Sequence, residues 1–227
     1  MIYNIFCDAS IDIQNKIACG GCYITRQIYS GNMIDVGYKR VIQLNATNNS
    51  SEILAIEVGV EEALRIRKTY PDSVFRLFSD SSISLLGLRD WMSNWIQNMN
   101  EDGTLIASNN QPVKNQQKFI DIYNCIVSER LQIQLFHQRG HVKETVSLEE
   151  ARKKFITMNK LTPESLGTTI EELSKYNRKI DNLTRDAISI YETTNKLPEF
   201  TTFELQNAMN FGIMKEALPI YKRLIYK

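Results

Sequence analysis

Strand-like apolar patterning through the first 44 residues, opening with the apolar run Ile2-Tyr3-Asn4-Ile5-Phe6-Cys7, predicts an antiparallel meander of three strands near residues 2–9, 20–28 and 33–44, with Ser30-Gly31-Asn32 as the turn between the second and third. The period then changes. From about Ser51 to Thr69 the apolar positions Ile53, Ile56, Val60 and Leu64 recur at helical spacing, and Tyr70-Pro71 stops the run. A short apolar run at 74–79 predicts a fourth strand, followed by helical segments near 81–86 and 88–98 and a polar, loop-like stretch from Asn100 to Gln111. Another helix is expected at 115–128, and the alternating Leu131-Gln132-Ile133-Gln134-Leu135-Phe136 predicts a fifth strand over 131–137. This order implies an α/β fold with a mixed five-stranded sheet flanked by helices.

Beyond residue 142 the pattern is helical. Ser147-Leu148-Glu149-Glu150 carries N-cap chemistry, and Thr162-Pro163-Glu164-Ser165 and Thr169-Ile170-Glu171-Glu172 are further candidate starts. A last helical run spans Ile180 to Tyr191, and an amphipathic pattern from Thr201 to Lys227 is interrupted by Gly212 and Pro219.

The 227 residues suit one domain with additions, and a net charge of +1 argues mildly against a tight nucleic-acid binder while allowing an acidic metal site. No apolar stretch has bilayer-spanning length and no basic-then-apolar leader opens the chain, so no membrane association and cytoplasmic residence are the expectations. Cys19-Gly20-Gly21-Cys22 has redox or zinc spacing, but a strand follows it where a redox pair wants a helix, and a second ligand pair is lacking. Small residues at a strand start are the better reading.

Four acidic residues stand at the ends of these patterns. Asp8 closes Ile2-Tyr3-Asn4-Ile5-Phe6-Cys7, Asp80 closes Val74-Phe75-Arg76-Leu77-Phe78-Ser79, Glu52 opens a helical pattern and Asp181 begins the run from Ile180. A carboxylate ending an apolar strand is costly to desolvate unless it is paired or binds a cation. Four of them meeting at one place would suit a pair of divalent metals. Glu52 alone would pass as an ordinary helix glutamate and Asp181 as a cap or helix-dipole partner; the joint pattern favours the metal reading.

The stretches around these acids resemble the type 1 ribonucleases H. The likeness lies in Ile5-Phe6-Cys7-Asp8-Ala9-Ser10, Thr47-Asn48-Asn49-Ser50-Ser51-Glu52-Ile53-Leu54-Ala55, Phe78-Ser79-Asp80-Ser81 and Ile180-Asp181-Asn182-Leu183. Asp90-Trp91-Met92-Ser93-Asn94-Trp95, Pro112-Val113-Lys114-Asn115 and Gly140-His141 match as well, in the same order. The resemblance implies a catalytic domain formed by residues 1–142 and 178–195, a helical insert over 143–177 where the family has a short loop, and a C-terminal helical extension over 196–227. It implies metal-dependent hydrolysis of the RNA strand of an RNA/DNA hybrid with two Mg2+ ions, for which Mn2+ can substitute. Asp8 would bridge both ions, Glu52 and Asp80 would complete one shell, and Asp181, at a helix start, would hold the other. His141 would assist proton transfer or product departure. Thr47 would hold a phosphate, Asn48 and Asn49 would meet sugars and bases in the minor groove, Ser10 would meet a 2′-OH, and Asn115 belongs to the matching substrate-side segment.

Two departures stand out. The stretch Ile96 to Gln111, where some relatives carry a lysine-rich substrate-gripping protrusion, holds Glu101 and Asp102 and no lysine or arginine. Ser82 stands where a longer amide side chain is common. Arg152-Lys153-Lys154 and Arg178-Lys179 are candidate replacements for the missing grip, with a solvated helix face as the plain alternative. Trp91 and Trp95 suit core packing better than stacking on bases. Competing readings are a related nuclease with another nucleic-acid substrate and a catalytically idle module of the same fold that binds nucleic acid or protein. Protein partners are not indicated by the sequence.

Overall fold

A computed structural model describes residues 1–28, 31–140, 142, 145–196 and the backbone of 201–202. The central sheet runs β5-β4-β1-β2-β3-β6. Its strands are β1 (Ile2–Asp12), β2 (Ile17–Gln27), β3 (Met33–Leu44), β4 (Val74–Ser79), β5 (Ile133–His137) and the two-residue β6 (Thr201–Thr202). The first three strands form an antiparallel meander, while β4 lies parallel to β1 and β5 parallel to β4. The expected mixed five-stranded sheet is present, and β6 adds a short antiparallel pairing to β3 where a helix was expected. Residues 203–227, with the rest of the amphipathic pattern, lie outside the described residues.

Strand parity divides the core. Tyr3, Ile5, Cys7, Ile24, Phe75 and Leu77 pack beneath α1 (Asn48–Thr69), joined by residues of α4 (Gln116–Ser128) such as Phe119 and Ile122. Helix α1 starts at Asn48 rather than Ser51. Thr47 caps it, with Thr47 Oγ1 accepting from Ser50 N at 3.2 Å and Ser50 Oγ accepting from Thr47 N at 2.9 Å. The segments expected at 81–86 and 88–98 form one helical run, α2 (Ser82–Leu86) and α3 (Met92–Gln97), joined by a π turn at Gly87–Trp91. Strand β5 starts two residues later than the alternation suggested, after Arg130 takes a left-handed conformation.

The opposite face carries Phe6, Tyr23, Phe78 and Phe136, and the helical segments after residue 147 cover it. Helix α5 (Leu148–Asn159) brings Ala151 and Phe155; Leu166 sits on a single 3-10 turn at Pro163–Leu166; α6 (Ile170–Thr194) brings Leu173, Tyr176 and Ile180. All three expected starts cap as the sequence indicated, through Ser147, Thr162 and Thr169. The rings of Phe6 and Tyr176 stack 5.0 Å apart, and those of Phe6 and Phe78 5.1 Å apart. The last residue of α5 also reaches the end strand: Asn159 Nδ2 donates to His137 O at 2.7 Å and Asn159 Oδ1 accepts from His137 N at 2.9 Å. Arg89 donates to that same Asn159 Oδ1 at 3.0 Å and to Leu135 O at 3.3 Å.

Candidate metal centre

Strands β1 and β4 run side by side as far as the pair Cys7–Ser79, where β4 ends and β1 continues to Asp12. The first residues past that point on the two strands are Asp8 and Asp80, so parallel register alone sets them next to each other. Glu52 comes down from the second turn of α1. One carboxylate oxygen from each of Asp8, Glu52 and Asp80 falls in a group whose members lie within 4.8 Å of one another. Asp8 is only 6% exposed, and its Oδ1 accepts from Ala9 N at 2.8 Å. Glu52 Oε2 is buried without a hydrogen-bond partner.

Crowding of like charges in a buried place raises carboxyl pKa values. Burial pushes the Asp8 carboxyl well above the usual range, with further pushes from Asp80, Glu52 and Asp181. Burial, then the Asp80 charge, pushes Glu52 up to about 8. Three hard oxygen donors, one of them orphaned, fit a divalent cation such as magnesium or manganese better than soft metals.

Asp181 approaches from the other side of the sheet and is not one of the trio. It does not start a helix: α6 runs unbroken from Ile170, so Asp181 sits three turns in, where the N-terminal dipole no longer acts. Its carboxylate is instead forked by Arg185 one turn later, Nε donating to Oδ1 at 3.0 Å and Nη2 to Oδ2. Arg185 was not among the residues singled out from sequence, although its i,i+4 spacing from Asp181 was the available signal. On the next turn Thr184 Oγ1 donates to Asp181 O at 2.9 Å and lies 2.9 Å from Ser10 Oγ, which ties β1 to α6.

Glycines set how closely the parts approach. A Cβ on Gly20 would lie 2.8 Å from Ala55 N of α1, and one on Gly21 would lie 3.1 Å from Ile180 Cδ1 of α6, so the adjacent glycines of Cys-Gly-Gly-Cys admit a helix on each face. The cysteines are free, and burial pushes the Cys19 and Cys22 thiols upward, Cys19 to about 12. Gly140 abuts the site itself, since a Cβ there would overlap Asp80 Oδ2. His141 lies outside the described residues. His137, by contrast, ends β5 and hydrogen-bonds the Asp80 backbone; burial first, then the Lys154 charge, pushes its imidazole down to about 4.

Thr47, Asn48 and Asn49 are exposed at the start of α1. Asn49 and Asn115 line one groove of about 620 Å³ with Trp91, Trp95 and Lys114. Trp95 is 8% exposed and packs edge-on against Phe119, whereas Trp91 is 38% exposed. Ser82 opens α2, half-buried. Of the cations considered for substrate grip, Arg152 pairs with Glu164 at 3.1 Å, Arg178 donates to Val142 O at 3.0 Å and Lys179 pairs with Asp35 at 2.9 Å over the Tyr23 and Tyr176 rings. Lys153 and Lys154 remain exposed on α5. Among the described residues no helix is long and apolar enough to cross a membrane.

Solved structures similar to this chain include LC9-RNase H1, a type 1 RNase H with the type 2 active-site motif (14% identical, 69% of this chain and 71% of that one, TM-score 0.47). The PFV RNase H domain is 18% identical over 74% of this chain and 93% of that one, with a TM-score of 0.46. LC11-RNase H1, solved in complex with an RNA/DNA hybrid, is 16% identical over 76% of this chain and 99% of that one, with a TM-score of 0.43. No curated protein matches the chain. The family model of RNase H matches residues 2–152, a span that takes in Asp8, Glu52 and Asp80 and stops short of Asp181. With β1, the end of β4 and α1 delivering three carboxylates to one point, and that match covering most of the chain, this protein belongs to the RNase H family.

Proposed function

We propose that this chain is a metal-dependent endonuclease that hydrolyses the RNA strand of RNA/DNA hybrids. The observation that carries this reading is the convergence of Asp8, Glu52 and Asp80, with Asp8 nearly sealed from solvent and no cation paired with Asp8 or Glu52 among the described residues. Such a charge cluster is unfavourable by itself and is explained by a cation it is built to hold. Asp8, Glu52 and Asp80 would ligate one ion, and Asp8 with Asp181 a second. Bound divalent ions supply a water nucleophile at neutral pH and neutralise charge on a phosphodiester.

The chain's own part is placement. Register holds Asp8 beside Asp80, α1 holds Glu52 over them, and Gly140 leaves Asp80 its room. Asn48 and Asn49, exposed at the start of α1, would meet the minor groove, where the 2′-OH separates RNA from DNA. Ser10 would offer the same group its remaining hydroxyl valence beside Thr184, and Thr47 would hold a phosphate by donating its hydroxyl hydrogen, since its Oγ1 only accepts in the cap. Asn115 and Lys114 would follow the other strand along the groove beneath Trp91. The protrusion's lack of cations predicts modest affinity with a shallow salt dependence. Cleavage assays with magnesium on an RNA/DNA hybrid, double-stranded RNA and duplex DNA test the assignment: RNA-strand cutting confined to the hybrid is expected, and equal cutting of double-stranded RNA or of DNA would overturn the substrate.

The raised carboxyls also predict a pH dependence. An unfolded glutamate loses its proton near pH ~4.3, whereas folded Glu52 keeps it to about 8. Between those values the native state binds more protons than the unfolded one, so its stability falls as pH rises. His137 acts oppositely, but only below about pH 6.5, where unfolded histidine is charged and the buried one is not. Thermal unfolding in chelator should therefore show a melting temperature that drops from pH 6.5 to 8, with added magnesium giving a larger increment at pH 8. A melting temperature in chelator that climbs over that window would contradict the charge crowding.

A further inference from the structure

Asp181 carries a bidentate guanidinium partner. Arg185 sits one helical turn beyond it, with its side chain 56% exposed against 16% for Asp181. Both Asp181 oxygens accept from the guanidinium, Oδ1 from Nε at 3.0 Å and Oδ2 from Nη2, so a cation approaching either oxygen meets the positive charge of Arg185. The other three acids already offer one oxygen each within 4.8 Å of one another, and Asp181 stands outside that group. The backbone under Asp181 is firm: Thr184 ties its carbonyl, and Ser10 ties Thr184 to β1. The carboxylate is thus held near the trio by α6 while its ligand oxygens are held by Arg185.

We propose that Arg185 gates the second cation position, its guanidinium competing with a cation for the Asp181 carboxylate. The inference rests on the metal-dependent reading above. A first ion would enter at Asp8, Glu52 and Asp80, and a second at Asp181 only in competition with Arg185. The exposed side of the pair makes the gate weak. A guanidinium more than half in solvent is well hydrated when released, and surface ion pairs of this kind are readily opened. The competition is direct in charge as well as geometry, because Arg185 supplies one positive charge at the position where a divalent cation would supply two.

Manganese binding to the full chain, without nucleic acid, tests this. Calorimetry with parallel electron paramagnetic resonance counting of free manganese would follow the native protein, Arg185→Gln, Arg185→Lys, Asp181→Asn and the Asp181→Asn/Arg185→Gln double variant. The native protein should show one tighter and one weaker event. Arg185→Gln should strengthen the weaker event about three- to tenfold and leave the tighter one unchanged. Arg185→Lys, which keeps a cation at that position, should preserve the native separation of the two events. Asp181→Asn should lose the weaker event whether or not Arg185 is present. A weaker event left unchanged or further weakened by Arg185→Gln would overturn the gate while leaving the trio intact. No manganese binding by the native protein at all would instead remove the metal-dependent reading, and the gate with it.

Discussion

Replacing Asp8 by asparagine should lower hybrid cleavage by more than about 10²-fold, beyond what loss of a supporting contact around a metal usually costs, and should raise the melting temperature of the metal-free protein. The two effects share one cause. Asp8 is the most buried of the four acids and is pressed by Asp80, Glu52 and Asp181. Asparagine keeps the shape and can still accept from Ala9 N through its amide oxygen, but it removes the charge that the neighbours oppose. The stabilisation expected from relieving a strained functional site is about 1 kcal/mol, or a rise of roughly 2–4 °C for a chain of this size. Cleavage assays and calorimetry in chelator check both halves. Retained cleavage would remove Asp8 from the site. Lost cleavage with a lowered melting temperature would mean that Asp8 serves the fold and not a cation.

Gly140→Ala should lower cleavage and metal affinity by about 10- to 100-fold in a protein that remains folded. The backbone at Gly140 does not need a left-handed conformation; what excludes a side chain there is the Asp80 carboxylate, which a Cβ would overlap at Oδ2 and approach to 3.2 Å at Cγ. Asp80 is just past the end of β4, so its side chain is the part that yields, swinging away from Asp8 and Glu52. Manganese titration and circular dichroism together test this: weakened binding with an unchanged spectrum is expected. Unimpaired metal binding would show that Asp80 has room to adjust without leaving the cluster.

The strands and the three-acid cluster were legible because each is set locally. Apolar runs mark β1 and β4, and an acid that closes such a run announces itself by the cost of burying it, although β1 itself continues past Asp8 to Asp12. Asp181 was placed at a helix start because the likeness to known ribonucleases H resumes near residue 178. Yet Ile170, Leu173, Tyr176, Ile180, Thr184, Ala187 and Ile188 keep one buried stripe with no glycine or proline between Thr169 and Thr194, so the helix had no reason to stop. Thr47 was hidden by better-known cap formers directly after it. The role of Gly140 depends on a carboxylate sixty positions earlier in the chain, and no local pattern carries such a contact. The same holds for Arg178 and Lys179, whose positive run suggested a solvated or nucleic-acid-facing surface until the Val142 carbonyl and Asp35 appeared as their partners.

The amide of Asn159 bears on how the chain behaves among its own copies. Strand β5 is the last of its sheet on that side, and a marginal strand ordinarily presents main-chain donors and acceptors that can template pairing with a strand from another molecule. At His137 a single side-chain amide satisfies both groups, as a peptide unit of an added strand would, and Arg89 occupies the Leu135 carbonyl one pleat away. Helix α5, which helps to shield the aromatic face of the sheet, thus also closes the C-terminal half of β5 to intermolecular pairing, and a chain shortened through 148–159 would lose its guard against edge-to-edge aggregation along with part of the cover of its core.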